Sequence, residues 1–169
     1  IWITPATATS GAQGFTITGN TIGYASNSQT GTYTLTGTGS SARFWGIHFN
    51  GISTGASTTI SNNTIASISM TGVTGSGTGT SSPFMAIHFQ EGVGVTSGNT
   101  IGSQSATGSL VFSTTTTSGT DAYGIYNFSS STWTASNNNI GGISVTNLGA
   151  SGTFVVYGLR ANTGTGVAF

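Results

Sequence analysis

The 169-residue chain contains only six side chains that are charged or titrate near neutrality: Arg43, His48, His88, Glu91, Asp121 and Arg160. Two carboxylates suggest acid–base catalysis, and two histidines suggest a metal. Each idea depends on spacing. Glu91 lies four residues after Ile87, and Asp121 lies four before Ile125, where Ile87 and Ile125 are equivalent positions of neighbouring repeats. Eight strand residues at about 3.3 Å each put the carboxylates roughly 26 Å apart. A hydrolytic pair needs about 5–10 Å, so each acid is read as a solvated loop residue. His48 and His88 also occupy equivalent positions, which stacked strands would hold about 4.8 Å apart. Two imidazoles at that spacing begin a metal site. Tyr126 and Arg160 follow them in the same column, a guanidinium opposes a cation, and the chain has no Cys. The pair is therefore read as stacked surface aromatics. No catalytic residue, metal or cofactor is assigned, and the chain is expected not to be an enzyme.

The elements that carry these residues are internal repeats. One motif, Gly19-Asn20-Thr21-Ile22-Gly23, returns around Asn63, Asn99 and Asn138, at intervals of 43, 36 and 39 residues. A second motif alternates with it. It reads Phe44-Trp45-Gly46-Ile47-His48-Phe49, then Phe84-Met85-Ala86-Ile87-His88-Phe89, then Ala122-Tyr123-Gly124-Ile125-Tyr126, then Val156-Tyr157-Gly158-Leu159-Arg160. Ile1-Trp2-Ile3 fits a fifth copy with Ile3 aligned to Ile47. Both motifs read as strands with period-two alternation. In the second, Trp45, Ile47 and Phe49 and their equivalents are expected to point inward. The residues between them are expected to point outward. The first motif adds an inward column of Ile22, Ile65, Ile101 and Ile140. The stretches 24–41, 67–82 and 103–120 read as a third strand plus a protruding loop whose length sets the uneven period.

One such turn cannot bury its own apolar face, whereas stacked turns bury it against like neighbours. Asn20, Asn63, Asn99 and Asn138 would then stack as a hydrogen-bonded structural ladder. The expected fold is all-β, a right-handed parallel β-helix of about four turns. Its turns run approximately 1–44, 45–84, 85–122 and 123–156, with a partial turn at 157–169. The whole, 1–169, is expected to be a single β-solenoid segment belonging to a longer repeat array.

Composition narrows the function. Thr, Ser and Gly make up 86 of 169 residues, Lys is absent, and the net charge is zero. Phosphate contacts need clustered Lys and Arg, so nucleic acid is not an expected partner. No apolar run approaches the roughly 20 residues of a transmembrane helix.

The Gly-Ile-aromatic motif around Ile47 alternates with Ser61-Asn62-Asn63-Thr64-Ile65. This pattern resembles the right-handed parallel β-helix repeats of the pectate-lyase-like superfamily. It is most similar to repeats of very large secreted bacterial surface proteins. The resemblance covers essentially the whole chain. It implies the fold and leaves the function open, because that superfamily includes enzymes, adhesins and plain stalks.

The expected role is a non-enzymatic structural segment of a secreted cell-surface or extracellular filament or stalk protein, with adhesion as a further role; the expected partners are other copies or neighbouring repeats, stacked end to end or laterally, and glycans. A carbohydrate- or ice-binding module is the alternative, followed by a polysaccharide-processing enzyme. The expected interaction face is the outward strip Phe44, Gly46, His48, Phe84, Ala86, His88, Gly124, Tyr126, Gly158 and Arg160. Its small residues, bordered by aromatics, would admit the chain's own loop, another copy or a glycan. Asn62-Asn63-Thr64 and Asn127-Phe128-Ser129 match the glycosylation sequon.

Overall fold

Thr, Ile, Val and aromatic residues favour a pleated, half-buried surface. In a computed structural model these residues form seventeen short strands. The structure describes residues 1–5, 11–36, 42–73, 77–105, 109–115, 117–147, 149 and 151–161. The first circuit holds β1 (Trp2–Ile3), β2 (Thr16–Thr18), β3 (Thr21–Gly23) and β4 (Tyr33–Thr36). The second holds β5 (Phe44–Asn50), β6 (Thr58–Ser61), β7 (Thr64–Ala66) and β8 (Ile68–Val73). The third holds β9 (Phe84–Glu91), β10 (Gly94–Ser97), β11 (Thr100–Gly102) and β12 (Leu110–Thr114). The fourth holds β13 (Thr120–Asn127), β14 (Trp133–Ser136), β15 (Asn139–Gly141) and β16 (Ile143–Asn147), and β17 (Phe154–Ala161) follows.

The strands form four sheets, ordered β1-β5-β9-β13-β17, β2-β6-β10-β14, β3-β7-β11-β15 and β4-β8-β12-β16. Every strand therefore pairs with the strand four places along, and every pairing is parallel. The third strand expected in the variable stretches is the fourth sheet. The length variation falls at two corners rather than in one loop. Between the third and fourth sheets the connection is residues 24–32 or 103–109 in two circuits, but Ser67 or Gly142 alone in the other two. The return to the first sheet varies as well. Of the partial turn expected at 157–169, residues 162–169 lie outside the described part.

One core draws on all four sheets, including Ile47 and Phe49, Ile17 and Ile60, Ile65 and Ile101, and Met70 and Phe112. The expected Ile column is present, with Ile22, Ile65, Ile101 and Ile140 in register.

Two readings of the second motif need correction. First, β1 pairs Trp2 with His48 and Ile3 with Phe49, two residues away from the expected alignment of Ile3 with Ile47. Second, strict alternation fails inside each long strand. Phe84, Ala86, Ile87 and Phe89 all belong to the main core, as do Ile47 and Phe49, and the half-buried Phe44 packs against it. Met85, Tyr123 and Tyr126 form a separate buried cluster with Trp45 and Tyr157. Ladder pairing skips the Gly or Ala position wherever two long strands meet. Two successive residues there face the core, so the other face carries residues spaced by three: 45 and 48, 85 and 88, 123 and 126. Gly46 and Gly124 thus face inward rather than outward. A Cβ on Gly46 would fall 2.7 Å from the Ala86 carbonyl and 3.2 Å from Ile65, and one on Gly124 would meet Ile140 at 2.9 Å. The position is small because Ile side chains of the third sheet fill the space in front of it.

In the second sheet, Ile17, Ile60, Thr96 and Ala135 share one inward column. Thr96 is fully buried and its hydroxyl has no hydrogen-bond partner. An unpaired buried hydroxyl is costly. Thr96→Val keeps the shape and removes the polar atom. It is expected to raise stability by about 1 kcal/mol, read as a higher urea midpoint with an unchanged slope.

Candidate functional site

Two side-chain systems stand out: an asparagine row at one corner and an aromatic face on the first sheet. The row sits where the second sheet turns into the third. The residue before each row Asn is Gly19, Asn62, Gly98 or Asn137, with φ between 54° and 69°. Gly and Asn are the residues that enter this left-handed region most readily, which explains the Gly-Asn and Asn-Asn pairs.

The row is continuous. Asn63 Oδ1 accepts from the main-chain N–H and the Nδ2 of Asn20, at 3.0 and 2.9 Å. Asn99 Oδ1 accepts from the same two groups of Asn63, at 3.1 and 3.0 Å. Asn138 Oδ1 accepts from those of Asn99, at 3.1 and 2.9 Å. The second amide proton goes to a main-chain carbonyl: Ile17 for Asn63, Ile60 for Asn99 and Thr96 for Asn138. Asn63 and Asn99 are fully buried.

The aromatic face is the expected interaction strip, but with different members. Phe44, Gly46, Phe84, Ala86 and Gly124 turn to the core. Gly158, in the last strand, is exposed, with nothing near its Cβ position. His48, His88, Tyr126 and Arg160 stay on the outer face and are joined by Trp2, Trp45, Met85, Tyr123 and Tyr157. Their rings stack along the face. Trp2 lies 5.3 Å from Trp45 and 3.9 Å from His48, His88 lies 5.5 Å from Tyr126, and Tyr123 lies 5.1 Å from Tyr157. The guanidinium of Arg160 sits 4.9 Å from the Tyr157 ring.

Much of this face is closed. The connection 77–82 lies over it, with a short 3₁₀ turn at Gly79–Ser81. The Gly79 N–H donates to the Tyr123 hydroxyl at 3.1 Å, and Trp45 Nε1 donates to the Ser82 carbonyl at 3.3 Å. The Ser82 hydroxyl donates to the Asp121 carbonyl. Of the three occupants considered for the strip, the chain's own loop covers this part.

Asp121 differs from its expected place. It is 5% exposed, not a solvated loop acid. Its Oδ2 accepts from the Tyr123 hydroxyl at 2.6 Å and lies 3.7 Å from Arg160 Nη1. Arg160 also donates to that hydroxyl at 2.9 Å. Burial and the Asp121 contact push the Tyr123 phenol up to about 12, so it stays protonated.

Glu91 has different partners. Its Oε1 accepts from the Gly92 N–H and from the Ser129 and Ser131 hydroxyls, at 3.0–3.1 Å. It borders a cleft of about 420 Å³ with Pro5, Asn50 and residues 51–54. Asn127 of one sequon is fully buried and bonded to Ser129, whereas Asn62 of the other is exposed.

The histidines meet directly, with Nδ1 of His48 3.0 Å from Nδ1 of His88. Trp45 packs against both rings, at 5.2 and 5.0 Å. Burial pushes His48 down to about 4. Burial and then the neighbouring His48 push His88 down to about 3. Both imidazoles are therefore neutral at pH 7. The spacing of the motif placed the pair together, but it carried no sign of the burial, which depends on the loop and on Trp2.

No protein-family model matches the chain, and neither a curated protein nor a solved structure matches it significantly. Among the described residues, no helix is long and apolar enough to cross a membrane, and no three His, Cys, Asp or Glu side chains gather as metal ligands.

Two predictions follow from these geometries. Asn99→Ala leaves the Asn63 donors and the Ile60 carbonyl unpaired in the interior. It is expected to cost about 3 kcal/mol, whereas Asn20→Ala, at the edge of the row, costs about 1 kcal/mol; urea unfolding distinguishes the two. The histidines set a pH dependence. Their folded values lie below the unfolded value of about 6.5, so the unfolded chain binds more protons as the pH falls. Stability is fully present above pH 6.5 and falls between 6.5 and about 3. At pH 5 the loss is expected to be about 1–2 kcal/mol per imidazole. A His48→Asn, His88→Asn double variant should show a shallower decline in thermal melts between pH 7.5 and 5.

Proposed function

We propose that the chain is a segment of a right-handed parallel β-helix that serves as a non-catalytic structural stalk or filament segment of an extracellular surface protein. The observation that carries this reading is the asparagine row. A row of identical amides through four successive circuits does no chemistry and holds the circuits at a constant rise. The in-register Ile column and the parallel pairing of every strand with the one four places along support the same reading. So does the use of the acids, since Asp121 holds Tyr123 and Arg160 while Glu91 holds Ser129 and Ser131. The partners that suit this role are further circuits or other copies of the chain, stacked end to end or side by side.

A second reading, binding of a glycan, is favoured by one observation. Trp2 is 61% exposed and, with Arg43 and Trp45, borders an open cleft of about 370 Å³. An aromatic face beside a guanidinium suits a sugar ring bearing an acidic group.

The test is negative-stain electron microscopy of the natively isolated protein, joined with fibre diffraction. Rods of uniform width with an axial spacing of about 4.8 Å are expected. Discrete compact particles without that spacing overturn the stalk reading. Retention on an acidic-polysaccharide column that Trp2→Ala abolishes would favour the glycan reading in its place.

A further inference from the structure

We propose that copies of the chain pack side by side through two unlike surfaces, the cleft at Arg43 of one copy meeting the cleft at Glu91 of the next. This rests on the stalk reading and names the contact between neighbouring stalks.

The distribution of charge carries it. Of the four formally charged side chains, Asp121 and Arg160 pair with each other. Arg43 and Glu91 remain, one of each sign, and neither forms an ion pair among the described residues. Opposite charges left over in so neutral a chain form a complementary set, the kind that selects a partner and its register.

One molecule does not join them. Arg43 directly precedes β5, and Glu91 ends β9. The ladder sets Phe44 beside Phe84 and Asn50 beside Glu91, so the two charges lie at opposite ends of neighbouring strands. The strand positions from 43 to 50, at about 3.3 Å each, hold them roughly 23 Å apart.

Each charge borders a hollow. Glu91 is held in place through Oε1, which accepts from the Gly92 N–H and the Ser129 and Ser131 hydroxyls. Its Oε2 has no hydrogen-bond partner among the described residues and is open to a donor from outside. The cleft beside it, walled by Pro5, Asn50 and residues 51–54, holds no cationic side chain. A guanidinium suits that carboxylate, because its N–H groups form a planar fork. Arg43 is exposed, at the cleft that it shares with Trp2 and Trp45.

An exposed ion pair contributes little by itself. Apolar surface must close around it, and both sides have some. Trp2, 61% exposed, stands at the Arg43 cleft, and Pro5 and Ile52 stand at the Glu91 cleft. Shutting water out strengthens the attraction. Because the two surfaces differ, every copy in a pair still has one of each kind in the set unused. The packing therefore continues past two copies, as a ring or an open raft.

Sedimentation of the intact protein tests this. End-to-end stacking leaves both residues untouched, so an Arg43→Gln, Glu91→Gln double variant gives the baseline. Wild-type mass is expected to exceed that baseline in about 0.02 M salt and to fall back to it in about 0.5 M, where screening is short-ranged. Each single substitution should weaken the excess association at least about tenfold. Gln at 91 keeps an oxygen for Ser129 and Ser131, and circular dichroism checks the fold. Mixing is the readout that a merely structural role would not move. The two single variants, at baseline alone, should form one-to-one pairs together, since E91Q keeps Arg43 and R43Q keeps Glu91. Wild-type protein that matches the double variant in low salt overturns the inference, and binding of acidic polysaccharide by that protein through Arg43 gives the cleft to a glycan. Excess association that ignores salt, or mixed variants that stay apart, overturns it as well. Rods with the axial strand spacing in the double variant keep the stalk reading in place whichever way this falls.

Discussion

Everything in this fold depends on parallel strands meeting their own kind one circuit later. A parallel pair fixes which residue sits over which, and a slip of one residue would send every core side chain to the opposite face. The asparagine row guards against that slip. Each row amide receives both the main-chain and the side-chain N–H of its neighbour, so the match is made twice at every circuit. The left-handed residue just before it fixes the corner that aims the amide. With the corner held, the neighbouring Ile column and the long strands of the first sheet need no further instruction to find their register.

The residues that were legible in the sequence are those whose role requires repetition. Asn at 20, 63, 99 and 138 and Ile at 22, 65, 101 and 140 recur because each needs a copy of itself above and below. Features that break the pattern were harder to see. The two-in-a-row step at Gly46, Ala86 and Gly124 violates the period-two rule by which faces were assigned, so Trp45, Met85 and Tyr123 were placed in the core and Phe44 and Phe84 outside it. A signal was present in the spacing of three shared by Trp45/His48, Met85/His88, Tyr123/Tyr126 and Tyr157/Arg160. The N-terminal strand was misaligned for a related reason, since two residues are too few to show their register without a partner. The burial of Asp121 depends on Tyr123, two residues along its own strand, and on Ser82 and Arg160, which the neighbouring circuits bring to it across intervals of 39 residues each.

A chain with four formally charged side chains places them unevenly. Asp121 and Arg160 are joined through the Tyr123 hydroxyl, beneath the connection that closes the aromatic face. An isolated surface pair contributes little. Here the carboxylate is buried, so losing Arg160 would strand a charge away from water, a far larger penalty than the pair's own attraction. The pair thus matters less for the energy it adds than for the one arrangement it permits, with Tyr123 held under Gly79 and the loop drawn onto the sheet.

The asparagine row also has a direction. The amide carbonyls of Asn63, Asn99 and Asn138 each accept from the preceding circuit, and the main-chain N–H groups of Asn20, Asn63 and Asn99 each donate to the following one. The row behaves like an arrow, with its bond dipoles adding rather than cancelling. A circuit laid on top upside down would set carbonyl against carbonyl and find no bonds. The row is therefore vectorial: only a unit running the same way could continue it, and its two ends are chemically different.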